Sequence, residues 1–272
     1  MEELLLKLAK QFQNKYFGKY RGFVVDNDDP EQRGRLRLNV PSVLGEAQTG
    51  WALPCLPFGG LADQGFFTVP EMSAQVWVEF EAGNINQPIW TGTFWQQSGD
   101  PPAEAAQSPP TTRVFKTPSG HVLQFDDKAG EEQFRLAHPA GAETSVDPNG
   151  TVVITDAQGN TLTLDADNGE IVLEDADGNT LTMNSAGTTV QDSNGNKIEM
   201  TAAGVTVKGT KVVVEGDQVL LGGAGGEPII KGQSFLTLFA THIHTSGAPG
   251  SPTSPPIPQG EMSTLSVKVM TS

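Results

Sequence analysis

Apolar and polar positions alternate with a period of two along residues 149–222, in short segments such as Leu162/Leu164, Leu181/Met183, Ile198/Met200 and Val205/Val207. Glycines at 150, 159, 169, 178, 187, 195 and 204 punctuate them every eight to ten residues. That period between turn residues predicts half-buried β-strands. Three of the turns share one formula: Asp156-Ala-Gln-Gly-Asn160, Asp175-Ala-Asp-Gly-Asn179 and Asp192-Ser-Asn-Gly-Asn196. Glycine and asparagine tolerate positive φ, and aspartate bonds its own turn through its side chain. The region is therefore an internal β repeat.

Each strand offers only two or three apolar side chains to one face, and no aromatic residue occurs between Thr151 and Gly223. Burying about two aliphatic side chains recovers roughly 1.5–3 kcal/mol apiece, less than the roughly 1–2 kcal/mol per residue that ordering the strand costs. Open sheet edges would also remain. The expected remedy is three copies wound about one axis, inward residues meeting in a dry core and every strand paired with a neighbouring chain. Roughly nine strand layers at ~4.8 Å would make a rod ~40 Å long. A single-chain solenoid is the competing architecture, but its coils need about 20 residues each.

Upstream, residues 1–18 place Leu4, Leu5, Leu8, Phe12 and Tyr16 on one stripe before Gly18. This predicts an amphipathic helix, either a handle for a partner or for its own copies, or a helix folded back on the next domain. Residues 19–97 read as a compact β domain, with strands expected in KYRGFVVDN, GRLRLNV, GWALPCLPFG, FFTVP, AQVWVEFEAG and QPIWTGTFW. Five or six strands in that length suit an OB-type Greek-key barrel. Residues 98–112 have linker composition. Residues 113–148 are expected to form a wider β shoulder with three longer strands anchored by Phe115, Phe125 and Phe134, in which His121 and His138 are isolated. Residues 223–272 break the repeat and form the tip, with a Pro-rich stretch expected to wrap as extended chain and a last strand in TLSVKVM. The fold class is thus all-β: N-terminal helix, OB-fold barrel, then an intertwined triple-stranded β-helix needle.

The net charge is −15, and residues 151–222 contain eleven Asp or Glu against three Lys and no Arg. Such a surface repels nucleic acid and gives a membrane no electrostatic hold. Arg21, Arg33, Arg35 and Arg37 alternate with acids, so a basic nucleic-acid groove is not expected. The lone Cys55 supports no intrachain disulfide framework and reads as a buried small apolar residue rather than a nucleophile. An acidic N-terminus and the lack of a long apolar run predict synthesis in the cytoplasm. The D-x-x-G-N turns lack the patterns of calcium loops, and turn chemistry accounts for them.

The sequence at Gly22, Val24, Asp29, Pro30, Gly34, Arg35, Pro41 and Trp51, then Pro70, Val76, Val78, Phe80, Gly83, Pro88 and Gly92, resembles the OB domain of the phage baseplate assembly protein V family. These are central spikes of contractile tails, similar to the valine-glycine repeat spikes of type VI secretion. The resemblance implies a homotrimer with an OB collar under a separate hub protein, a needle that pierces the target envelope on sheath contraction, and no catalytic residue. It implies a virion tail baseplate or an extracellular injection particle assembled in a bacterial cytoplasm, with only transient contact to the target membrane. A tip cap protein or an effector is a further candidate partner. The alternative is a trimeric tail-fibre adhesin or polysaccharide-degrading protein, which should show acidic pairs and exposed aromatics in a groove.

His242 and His244, two apart, would face the same side of a strand. On a threefold axis they would bring six imidazole nitrogens together, a set suited to an octahedral divalent metal, and the pair resembles the iron-binding His-x-His at the tip of some spikes of this family. The alternative is two outward imidazoles in a polar turn. Because 28 residues follow His244, the pair is expected within a tip built by the returning chain.

Overall fold

The computed structural model describes residues 12–221, 227–245, 247–250, 253 and 265–271. Residues 1–11 of the expected N-terminal helix and most of the Pro-rich stretch lie outside them; past Phe12 the helix does not continue, residues 13–18 being turn and irregular chain, and Tyr16 packs on Tyr20 and Phe80 of the barrel. The chain divides into two units, one of Met1–Ala140 with Thr144–Pro148, the other of Gly141–Glu143 with Asn149–Ser272.

The first unit opens with a barrel of five strands: β1 (Tyr20–Asp26), β2 (Arg37–Asn39), β3 (Leu53–Pro54), β4 (Gln75–Phe80) and β5 (Pro88–Thr93). They are ordered β2-β1-β4-β5-β3, with β3 parallel to β5. Paired bonds of 3.1 and 2.7 Å between the backbones of Leu36 and Ala52 join the two ends, so the sheet closes on itself. Alternation explains the core: Val76, Val78 and Phe80 of β4 point inward and meet Val24, Leu36, Leu38, Ala52 and Trp90. The Trp90 indole N–H is satisfied by the Gly34 carbonyl at 3.0 Å. A four-residue helix α1 (Pro41–Leu44) follows β2.

Two expected strands differ. Residues 66–70 are irregular, and only Leu53–Pro54 of the GWALPCLPFG segment pairs as a strand. The glycines at 59, 60 and 65 all adopt positive φ and turn the chain out of the sheet between them. Cys55 at the base of this excursion is exposed, not buried. The β3 segment ends one residue before it.

Residues 112–208 form one meander in strict sequence order: β6 (Thr112–Lys116), β7 (Val122–Asp126), β8 (Gln133–Ala137), β9 (Glu143–Val146), β10 (Val152–Thr155), β11 (Thr161–Asp165), β12 (Glu170–Glu174), β13 (Thr180–Asn184), β14 (Gly187–Gln191), β15 (Lys197–Thr201) and β16 (Gly204–Lys208). This departs from the expected strand pairing with neighbouring chains. Hairpin turns of a few residues place consecutive strands side by side, so each chain satisfies its own ladder bonds. The shoulder strands are four or five residues long, no longer than those of the repeat. The expected linker holds one 3-10 turn, Ala103–Ala105, whose Glu104 pairs with Lys116 at 2.7 Å, and its last residue, Thr112, is the buried start of β6.

The C-terminal part contains β17 (Val219–Leu220), β18 (Glu227–Ile230), helix α2 (Gly232–Thr241) and β19 (Leu265–Thr271). Its small sheet runs β17-β19-β18, and β19 falls where the last strand was expected.

Candidate trimerisation face and needle tip

Register fixes what each sheet face carries. Ile154, Leu162, Leu173, Leu181, Val190, Ile198 and Val207 stand opposite one another in one column across β10–β16. Beside it runs a second, Val152, Leu164, Ile171, Met183, Thr188, Met200 and Val205. The reverse face is centred on Val153, Thr163, Val172, Thr182, Thr189, Glu199 and Thr206. One side is thus aliphatic and two side chains wide; the other is mostly threonine. The aliphatic side is not covered within the chain: Leu173 is 50 % exposed, Val207 55 % and Val205 68 %. A sheet with one apolar face needs a second layer to bury it. Covering these side chains is worth on the order of 10 kcal/mol per chain.

The turns form a second ladder along one edge. In each, the aspartate accepts from two backbone N–H groups, as Asp175 does from Asp177 (3.0 Å) and Asn179 (2.8 Å), while its other oxygen takes the Asn179 amide at 2.7 Å. The asparagine carbonyl then reaches the next turn: Asn160 accepts from Ala176 N–H at 3.0 Å, Asn179 from Ser193 at 3.3 Å, and Asn196 from Thr210 at 3.2 Å. These amide bonds, with backbone donors, hold Asp156, Asp175 and Asp192 below the usual carboxylate range. Each repeat is thereby latched to the one after it. The constant asparagine at the fifth place of the formula was the sequence signal for this latch.

On the barrel, the loop after β1 is knotted by Asp29. Its carboxylate accepts from the backbone of Glu31 (3.0 Å), Arg33 (2.8 Å) and Arg35 (3.3 Å) and pairs with the Arg35 guanidinium at 2.6 Å. The Arg35 bonds, resisted by burial and helped by the backbone donors, hold its pKa far below the ordinary value. Arg35 and Arg37 lie over Trp51 at 5.6 and 5.3 Å, and Arg21 lies over Trp77 and Phe94 at 5.9 and 5.6 Å. The arginines of the short basic cluster are thus engaged in ion pairs and stacking within the barrel.

His242 and His244 follow α2 directly in irregular chain, extended at His242, rather than on a strand. A hydrophobic stripe of Phe235, Leu236 and Phe239 explains the helix, and Phe235 and Phe239 stack one turn apart. The rings of His242 and His244 are 5.2 Å apart, edge to face. His242 Nδ1 meets the Phe239 carbonyl. Among the described residues no group of three or more His, Cys, Asp or Glu side chains gathers in one chain. Within the described residues of one chain, the pair therefore offers a metal two ligands and no third. His121 and His138, expected to be isolated, have ring centroids 4.8 Å apart, because the β6–β7 turn and the end of β8 meet.

A closed five-stranded barrel followed by a meander with one uncovered aliphatic face defines an all-β protein whose sheet leaves an apolar layer unfilled within one chain. Comparison with known proteins gives the family. Residues 20–95 match the type VI secretion system/phage-baseplate injector OB domain, and residues 151–221 the phage baseplate V C-terminal trimerisation domain. The chain belongs to this family of baseplate spike proteins. It is 39 % identical over 62 residues to the pre-baseplate central spike protein Gp5 of Enterobacteria phage T4, covering 20 % of this chain and 11 % of that protein. It is 29 % identical over 115 residues to the actin cross-linking toxin VgrG1 of Vibrio cholerae serotype O1, covering 39 % of this chain and 10 % of that one. The chain thus spans about a tenth of the length of these curated relatives. Among solved structures, the SAS-4 (dCPAP) TCP domain in complex with a proline rich motif of Ana2 (dSTIL) of Drosophila melanogaster aligns with 56 % of this chain and 99 % of that chain at 13 % identity and a TM-score of 0.25. That likeness carries no argument.

Proposed function

We propose that three copies of this chain form the central spike of a contractile tail or injection-system baseplate, driven through the target envelope when the sheath contracts. One observation carries the reading: the two aliphatic columns of β10–β16 are uncovered in a single chain within the segment that matches a trimerisation domain. Three such faces turned inward would bury one another. The threonine faces and carboxylate turns would then meet water and keep the assembly soluble. No bond is made or broken in this role. The work comes from the sheath, and the chain supplies stiffness through its ladders and turn latches. A separate hub protein would hold the barrel, and the particle would be a virion tail or an extracellular injection device.

At the tip, His242 and His244 of three copies are proposed to hold an octahedral divalent metal such as iron, which would staple three chain ends at one point. Metal analysis of the purified chain should return about one metal per three chains, lost on His242→Ala and His244→Ala substitution. A metal-free protein would remove this part of the proposal. The piercing role is tested with contracting particles that carry Leu173→Asp. Because that chain should fail to form the trimeric spike, entry through the target envelope should be lost, whereas unimpaired entry would contradict the role.

A further inference from the structure

The excursion between β3 and β4 is apolar at its surface. Its backbone closes between Phe58 and Phe66 through the Phe66 N–H and the Phe58 carbonyl at 3.1 Å. It cups a depression of about 430 Å³ bounded by Leu56, Phe58, Phe66 and Phe67. Phe58 is 62 % exposed, Leu61 75 % and Phe67 68 %. The loop is nevertheless anchored at one end. Phe67 lies against Gly34, where an added Cβ would come within 3.2 Å of its ring, and Phe66 meets the edge of Phe115 with ring centroids 6.5 Å apart. Phe66 and Phe67 are thereby held at that end by contacts within their own chain.

Phe115 begins a column of its own. Its cross-strand partner is Leu123, whose partner is Leu136, so the three stand on one face of β6–β8. The loop of the same chain reaches Phe115 at one end, and Leu136 remains 51 % exposed at the other. One chain thus carries two different uncovered apolar surfaces, a loop and a sheet face. β6–β8 also belong to the same hydrogen-bonded sheet as the trimerisation segment.

We propose that residues 58–67 dock on the β6–β8 face of the next copy, forming a clasp that joins barrel to sheet around the trimer. The occupant follows from continuity with the trimerisation sheet and from the two surfaces being different. A contact between unlike patches is heterologous and closes only as a ring, which three copies complete. The clasp rests on the trimer proposed above.

The test uses two full-length chains with different affinity tags, each with Cys55→Ser, one carrying Phe67→Cys and the other Leu136→Cys. Co-assembly and mild oxidation should give a disulfide between the two tags. Pairing Phe67→Cys with Gln124→Cys, on the opposite sheet face, should give none. A native trimer without the cross-tag disulfide overturns the clasp and leaves the trimer standing; a monomeric native mass removes both. Should a cysteine chain fail to fold, amide exchange on the unaltered protein reads the same contact. Residues 58–67 should be protected in the native assembly, and free exchange there overturns the clasp.

Discussion

Gly187 opens β14 at φ +146°, and a Cβ at this position would lie 1.9 Å from the Met200 carbonyl oxygen on the neighbouring strand. No rotamer relieves a clash that involves only backbone. Gly187→Ala should therefore cost about 2 kcal/mol or more and lower the melting temperature of the assembly; an unchanged melt would refute that account of β14–β15 pairing. The aspartates act at the same scale. Asp29, Asp156, Asp175 and Asp192 all have folded pKa values below their unfolded ones. The stability each contributes is fully present above the unfolded value, about 4, and is lost as pH falls through the folded value. Denaturant midpoints should hence be nearly level from about pH 5 to 8 as far as these groups decide them, and fall below about pH 4. Asp29→Asn should remove part of that acid dependence.

At the scale of the element, the latch between turns is separable from the strands it joins. Asn179→Ala removes the amide that holds Asp175 and the acceptor for Ser193 while leaving β13 untouched. The loss should be about 1–2 kcal/mol, with faster amide exchange confined to the two turns concerned. Uniform exchange across the sheet would show that the latch is not local.

The alternation of Leu162/Leu164 and Leu181/Met183 made these strands readable from sequence, because a period of two with one apolar face has a single solution. What was hidden is equally physical. Alternation says which side is apolar but not which strand is the neighbour, so the pairing of consecutive strands within the chain was missed. Apolar residues in 66–70 resemble a strand by composition, yet positive φ at the flanking glycines turns them into a surface loop. Helix α2 does carry a sequence signal, Phe235 and Phe239 four apart on one stripe, but it is a single turn's worth of periodicity beside a His-x-His spacing that suits a strand.

For the whole molecule, the barrel and the sheet have different needs. The barrel closes its own core around Leu36, Leu38, Val76 and Val78, all fully buried. The β10–β16 sheet does not. A charge placed among its aliphatic columns should accordingly act on assembly before it acts on the barrel. Leu173→Asp should yield a protein whose near-UV circular dichroism and tryptophan emission match those of the unaltered chain, while the native mass falls. Loss of both together would mean that the barrel depends on the sheet.

Native mass by light scattering, before and after unheated SDS, probes the central claim most directly. The account predicts a species near three times 28.8 kDa that survives the detergent, because in the trimer the aliphatic faces would be shut against one another behind hydrogen-bonded strands. A monomer under native conditions would contradict it, since the exposed columns would then require some other cover.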